Sequence, residues 1–179
     1  LDILPDDLAL APTGAYDDTI SGDVATVEIP GPFDLVFSRA VLEHVEDPGR
    51  ALANLARALT PGGLMAHYLP CRNAPFAVMN RLLGNTRARQ LLLAIYPEKV
   101  EHSGFLAHYR DCTPAGMRTL CRSAGVEDVT LTPYYHSKYA AFFVPLYTAD
   151  LLRQALSCAC GWDWWSEGFA IVARRPEIH

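Results

Sequence analysis

Residues 33–63 read FDLVFSRAVLEHVEDPGRALANLARALTPGG, and the fold follows from this stretch. Phe33-Asp34-Leu35-Val36-Phe37-Ser38 is a short apolar run bounded upstream by Pro30-Gly31-Pro32, the pattern of a buried strand. Asp47-Pro48 then opens a helix: Asp47 can accept from free backbone N–H groups, and Pro48 takes the first helical position, where its missing N–H costs little. Leu52, Leu55, Ala56 and Leu59 recur at helical spacing, with Arg50, Asn54 and Arg57 on other faces. Thr60-Pro61-Gly62-Gly63 ends the helix, and Leu64 to Leu69 reads as a second strand. Strand, helix and strand joined by tight turns make a βαβ unit, which implies parallel pairing with a right-handed crossover.

Outward from this unit the alternation continues. Leu1 to Leu4 reads as the end of a strand running into a Pro5-Asp6-Asp7 turn, and Thr19-Ile20-Ser21 as another short strand. Pro114 to Ala124 reads as a helix capped by Thr113 and ending at Gly125, followed by a strand from Val126 to Tyr135. Lys138 to Cys158 is largely helical in pattern but broken by Pro145, and Gly168 to Ala173 is a last apolar strand. The expected fold is α/β, a doubly wound sheet with its first strand absent or displaced. Residues 1–179 are read as a single domain. Residues 72–113 exceed the usual connection between sheet elements and are read as an insertion, a lid over the sheet's carboxyl edge.

Composition narrows the function classes. Of 179 residues, 50% are hydrophobic and 20% charged, which is globular composition, and the net charge of −5 argues against a general nucleic-acid binder. No apolar run reaches the roughly 18 residues needed to cross a bilayer, so no stable membrane insertion is expected. The uncharged run Tyr139 to Ala149 is too short to span; it packs, lines an apolar cleft or touches a membrane surface. Cys71, Cys112, Cys121, Cys158 and Cys160 are odd in number and hold no C-x-x-C pair, which favours reduced thiols over disulfides or a metal site. The chain is read as soluble and cytoplasmic, and no oligomeric state is read from it.

Phe33 to Val36, Glu43-His44 and Leu59-Thr60-Pro61-Gly62-Gly63, in this order and spacing, resemble the central strand–helix–turn of the class I S-adenosylmethionine-dependent methyltransferases, particularly the small-molecule group of methyltransferase type 11. The resemblance is good from Leu1 to about Leu69 and holds only in outline beyond. It implies a Rossmann-like sheet, mostly parallel with an antiparallel last strand, and transfer of a methyl group from S-adenosylmethionine to a small-molecule acceptor. Asp2 then resembles the acid that accepts from the two ribose hydroxyls, and Asp23 the acid that accepts from the adenine amine, with the Val24 backbone near the ring. Each carboxylate also has a plainer reading, as ordinary turn chemistry. Ser38 and Arg39 lie at the strand's carboxyl end, which in the family faces the methionine part of the cofactor. His44 either takes a proton from the acceptor or, with Glu43, orients the loop before Asp47. His108 and Tyr109 belong to a second polar segment, His102-Ser103-Gly104-Phe105 and His108-Tyr109-Arg110-Asp111-Cys112, read as substrate pocket or as solvated loop.

One departure from the family pattern stands out. No G-x-G occurs in the chain, whereas the family carries a glycine-rich loop after its first strand. Because Leu1 to Leu4 matches the family's second strand, the chain is expected to lack the first strand and helix, a unit of about 30 residues. Such a sheet would have an uncovered edge and apolar face. Two rival functions follow, a non-catalytic methyltransferase-like binding domain and, more distantly, a nicotinamide-dependent oxidoreductase, which would also need a glycine fingerprint.

Overall fold

The computed structural model describes residues 1–95 and 106–177. Its central feature is a four-stranded sheet in the order β1 (Phe33–Arg39), β2 (Leu59–Pro70), β4 (Gly168–Arg174), β3 (Glu127–Tyr134). β1 and β2 run parallel, and β4 runs antiparallel to both of its neighbours, so three strands point one way and the last in sequence is reversed. This is the mostly parallel sheet with an antiparallel last strand that the family resemblance implies.

Helix α2 (Pro48–Ala58) makes the crossover from β1 to β2. Asp47 caps it as expected, its Oδ1 accepting from the Arg50 N–H at 2.9 Å. α5 (Pro114–Ser123) packs beside α2 and is capped by the Thr113 hydroxyl, which accepts from the Gly116 N–H at 3.1 Å. Both helices cover one face of the sheet. Alternate residues of β2 and β4 enter the core there: Met65, His67 and Leu69 opposite Ala173, Ile171 and Phe169, beneath Leu52, Met117 and Cys121. The five cysteines are free thiols, three of them buried.

Three local expectations change. Leu1 to Leu4 forms no strand; a single parallel bridge joins Asp2 to Ser21, and α1 (Pro5–Ala9) replaces the expected turn, since Pro5 sits well at a helix start. Pro145 does not break a helix but begins one, α6 (Val144–Cys160), which ends on Gly161 in the left-handed region. Thr60-Pro61-Gly62-Gly63 is not a separate turn but the irregular start of β2, with a register shift against β1.

Residues 72–113 leave the sheet at the carboxyl end of β2. They include α3 (Pro75–Leu83) and α4 (Asn85–Ile95). The two roots of this excursion meet, the Arg72 N–H donating to the Cys112 carbonyl at 2.6 Å. His102-Ser103-Gly104-Phe105 lies outside the described residues.

Candidate active site

The site is built where β1 ends. Ala40 has φ +53°, a left-handed value unfavourable for a residue with a Cβ, and its N–H donates to the Tyr68 carbonyl at 2.8 Å. The chain therefore turns sharply into a 3₁₀ turn, Leu42–His44, which drives Leu42 into the core and Glu43 beneath the surface. Tyr109, also left-handed at φ +52°, arrives from the far limb of the 72–113 excursion. The N–H groups of His108 and Tyr109 both donate to the Glu43 carbonyl, at 2.8 and 3.0 Å. Two strained backbone positions thus flank one carboxylic acid, a clustering common at functional sites.

Glu43 is only 3% exposed. Burial pushes its carboxyl up to about 7, opposed by the smaller pull of its own backbone N–H. Its Oε2 is buried without a hydrogen-bond partner, and Oε1 lies 3.8 Å from His44 Nε2. His44 Nδ1 is 3.0 Å from the Leu106 carbonyl, which can only accept, so Nδ1 carries a hydrogen and Nε2 is the ring nitrogen on the Glu43 side. His108 sits at the margin, its Nε2 4.0 Å from a carboxylate oxygen of the exposed Glu46.

Aromatic residues wall this acid. The Tyr109 hydroxyl bonds the Asn80 side chain of α3, and burial first, then the Glu43 charge, pushes the phenol upward. Tyr68 and Tyr139 are also raised, by burial first and in part by the Glu43 charge. Tyr139 stacks on Phe76 with ring centroids 4.5 Å apart, and Tyr68 meets Tyr134 edge-on at 5.7 Å. Cys112 beneath them is driven up to about 12 by burial, ahead of the Glu43 and Cys71 charges, so its thiol stays protonated.

The other residues singled out in the sequence fall into two places. Ser38 and Arg39 share the β1 end with Glu43, but the Ser38 hydroxyl is engaged with His67 Nδ1 at 2.8 Å. His67 lies inside the sheet–helix core, where burial pulls it down to about 4 and its Nε2 finds no partner. Asp2, Asp23 and Val24 gather instead around the Asp2–Ser21 bridge. Asp2 Oδ1 accepts from the Leu4 N–H at 3.0 Å and Asp23 Oδ1 from the Ala25 N–H at 2.9 Å, the turn chemistry read as their plainer role. Val24 is buried, and its carbonyl accepts from Asn54 of α2 at 2.9 Å, fixing this loop to the helix.

The sequence reading did not place Glu43 among its catalytic candidates, nor Tyr68 and Tyr139 in the site. Glu43 sits beside His44 in an exposed-looking E-H pair, and only the Ala40 turn and the contact with residues 108–109 bury it.

Residues 1–67 match the model of the family described as "Methyltransferase domain". Among curated relatives, the ubiquinone biosynthesis O-methyltransferase of Thiobacillus denitrificans is 33% identical over 107 residues, covering 58% of this chain and 40% of the relative. This chain thus spans less than half the length of that relative. Among solved structures, an S-adenosylmethionine-dependent methyltransferase from Mesorhizobium loti superposes with TM-score 0.56 at 18% identity, covering 97% of this chain and 78% of that one. Phosphoethanolamine N-methyltransferase 2 of Haemonchus contortus, in complex with S-adenosyl-L-methionine, gives TM-score 0.51 at 13% identity over 88% of this chain and 36% of that one.

Proposed function

We propose, from the premise that this chain has the class I S-adenosylmethionine-dependent methyltransferase fold with the methyltransferase-domain sequence over residues 1–67, that it transfers a methyl group to an ionisable hydroxyl of a small-molecule acceptor. The observation that carries this reading is Glu43, a buried carboxyl with a free oxygen, poised near neutrality at the carboxyl end of a parallel strand. The aromatic wall of Tyr68, Tyr139 and Phe76 suits a flat acceptor such as a phenol. Oxygen methylation also agrees with the name of the Thiobacillus relative.

S-adenosylmethionine, when bound, supplies an electrophilic methyl on its sulfonium. Asp2 would accept from the ribose hydroxyls and Asp23 from the adenine amine, beside Val24, while Ser38 and Arg39 face the methionine part. Glu43 takes the acceptor's proton on Oε2, and His44 lies beside it with Nε2 3.8 Å from Oε1. Tyr109 stays protonated and serves as a hydrogen-bond donor rather than a base. The described parts of residues 72–113, rooted at the Arg72–Cys112 contact, would lie over this edge and keep water from the acceptor.

The test is transfer of labelled methyl from S-adenosylmethionine to a panel of phenols, with titration of S-adenosylhomocysteine alongside. Glu43→Gln should lower kcat by about 100-fold or more and leave S-adenosylhomocysteine affinity unchanged. Asp2→Ala should weaken that affinity by about tenfold. Absence of both transfer and binding would return the chain to its rival reading as a non-catalytic relative.

A further inference from the structure

Exposed apolar side chains occur at several places, Leu10 at 82% and Leu152 of α6 at 63% among them, and two groups bring several together. One is the outer face of the sheet at β1. The other is formed by α3, α4 and the start of α6, where Leu82 is 81% exposed, Val144 72% and Phe143 55%, with Leu83, Leu91 and Leu146 also exposed. The Phe76–Tyr139 stack ties α3 to the segment leading into α6, so these parts belong to one side of the molecule.

Charge separates this patch from the rest of the chain. Residues 71–95 contain Arg72, Arg81, Arg87 and Arg89 and no acid, and residues 136–149 contain Lys138 and no acid, within a protein of net charge −5. Arg81, Arg87 and Lys138 are exposed. The nearest acid of α6, Asp150, is turned inward, accepting from Arg153 Nε at 2.8 Å and from Gln154 Nε2 at 2.7 Å. Exposed apolar side chains on segments whose charged groups, among the described residues, are cations match the interface of an anionic bilayer. No helix among the described residues is long and apolar enough to cross a membrane, so the contact is adsorption.

We propose that α3, α4 and residues 143–146 form a docking surface for an anionic lipid bilayer. The mouth of the candidate site then lies on the membrane-facing side; that clause alone rests on the proposed function.

Sedimentation of the full chain with vesicles tests the surface, without cofactor or acceptor. Vesicles of phosphatidylcholine with phosphatidylglycerol should carry the protein down, and phosphatidylcholine alone should carry much less. Arg81→Gln with Arg87→Gln should weaken binding by about fivefold per arginine, and added salt should do the same. Leu82→Glu with Phe143→Glu should abolish it. Phe37→Glu, on the other apolar patch, should leave it intact; equal loss there, or equal binding to both vesicle types, would overturn the proposal. So would a Leu82-dependent and Phe143-dependent dimer in sedimentation velocity, because a second copy would then own the patch. Vesicle binding without any methyl transfer would sink the functional reading and leave the surface standing.

Discussion

At the scale of single residues, two buried titratable groups impose opposite pH signs. Glu43 has its carboxyl raised from 4.5 to about 7, so between those values the folded protein keeps a proton that the unfolded chain releases. Stability therefore falls as pH rises through that window, and the penalty is complete above about 7. Glu43→Gln removes it: the unfolding free energy from urea titration should rise relative to the parent at about pH 8, by up to ~3 kcal/mol, and differ little at about pH 4. Its catalytic consequence runs the other way, so the same variant should be more stable and much less active. His67 is lowered from 6.5 to about 4; its contribution is fully present above 6.5 and is lost as pH falls to about 4. His67→Leu should flatten that acid limb in thermal melts followed from neutral to acidic pH.

At the scale of elements, α6 is held by a small polar cluster rather than by an apolar face. Arg153 bonds Asp150, the Glu167 carboxylate and, at 3.0 Å, the Trp165 carbonyl, and its guanidinium lies over the Trp165 ring. Gln154, fully covered, bonds the Ser137 carbonyl at 3.2 Å. Arg153→Ala strands two carboxylates in poorly solvated positions and should cost about 3 kcal/mol, read by denaturant unfolding with indole fluorescence as reporter. The α2 cap is a smaller matter, since Asp47 satisfies one N–H: Asp47→Ala should cost about 1 kcal/mol. Both caps were legible in the sequence because capping is local chemistry. The start of α6 was not: a Pro reads equally as break or as first turn until the preceding residues are seen to be extended.

At the scale of the whole molecule, the sheet is covered on one face and bare on the other. β1 lies at the end of the sheet, and among the described residues no strand pairs with its outer edge. Leu35 and Phe37 point away from α2 and α5, with Leu64, Ala66 and Val172 on the same side, and Phe37 is 76% exposed. Free edge and apolar face together make an aggregation template. Phe37→Lys should lower light scattering at high protein concentration without shifting the unfolding midpoint.

The sequence by itself determined the βαβ unit and the helix caps, because each depends on periodicity or on contacts within a few residues; the reversed last strand was legible only through the methyltransferase resemblance. The sequence also brought Ser38, Arg39, His44 and the 108–109 pair into consideration, as residues next to strand ends and loops. The tertiary structure alone decided that Glu43 is the buried acid and that Ser38 is engaged by His67. Those relations join residues 29 to about 65 positions apart, and burial, the force behind each, exists only once the distant segments have met.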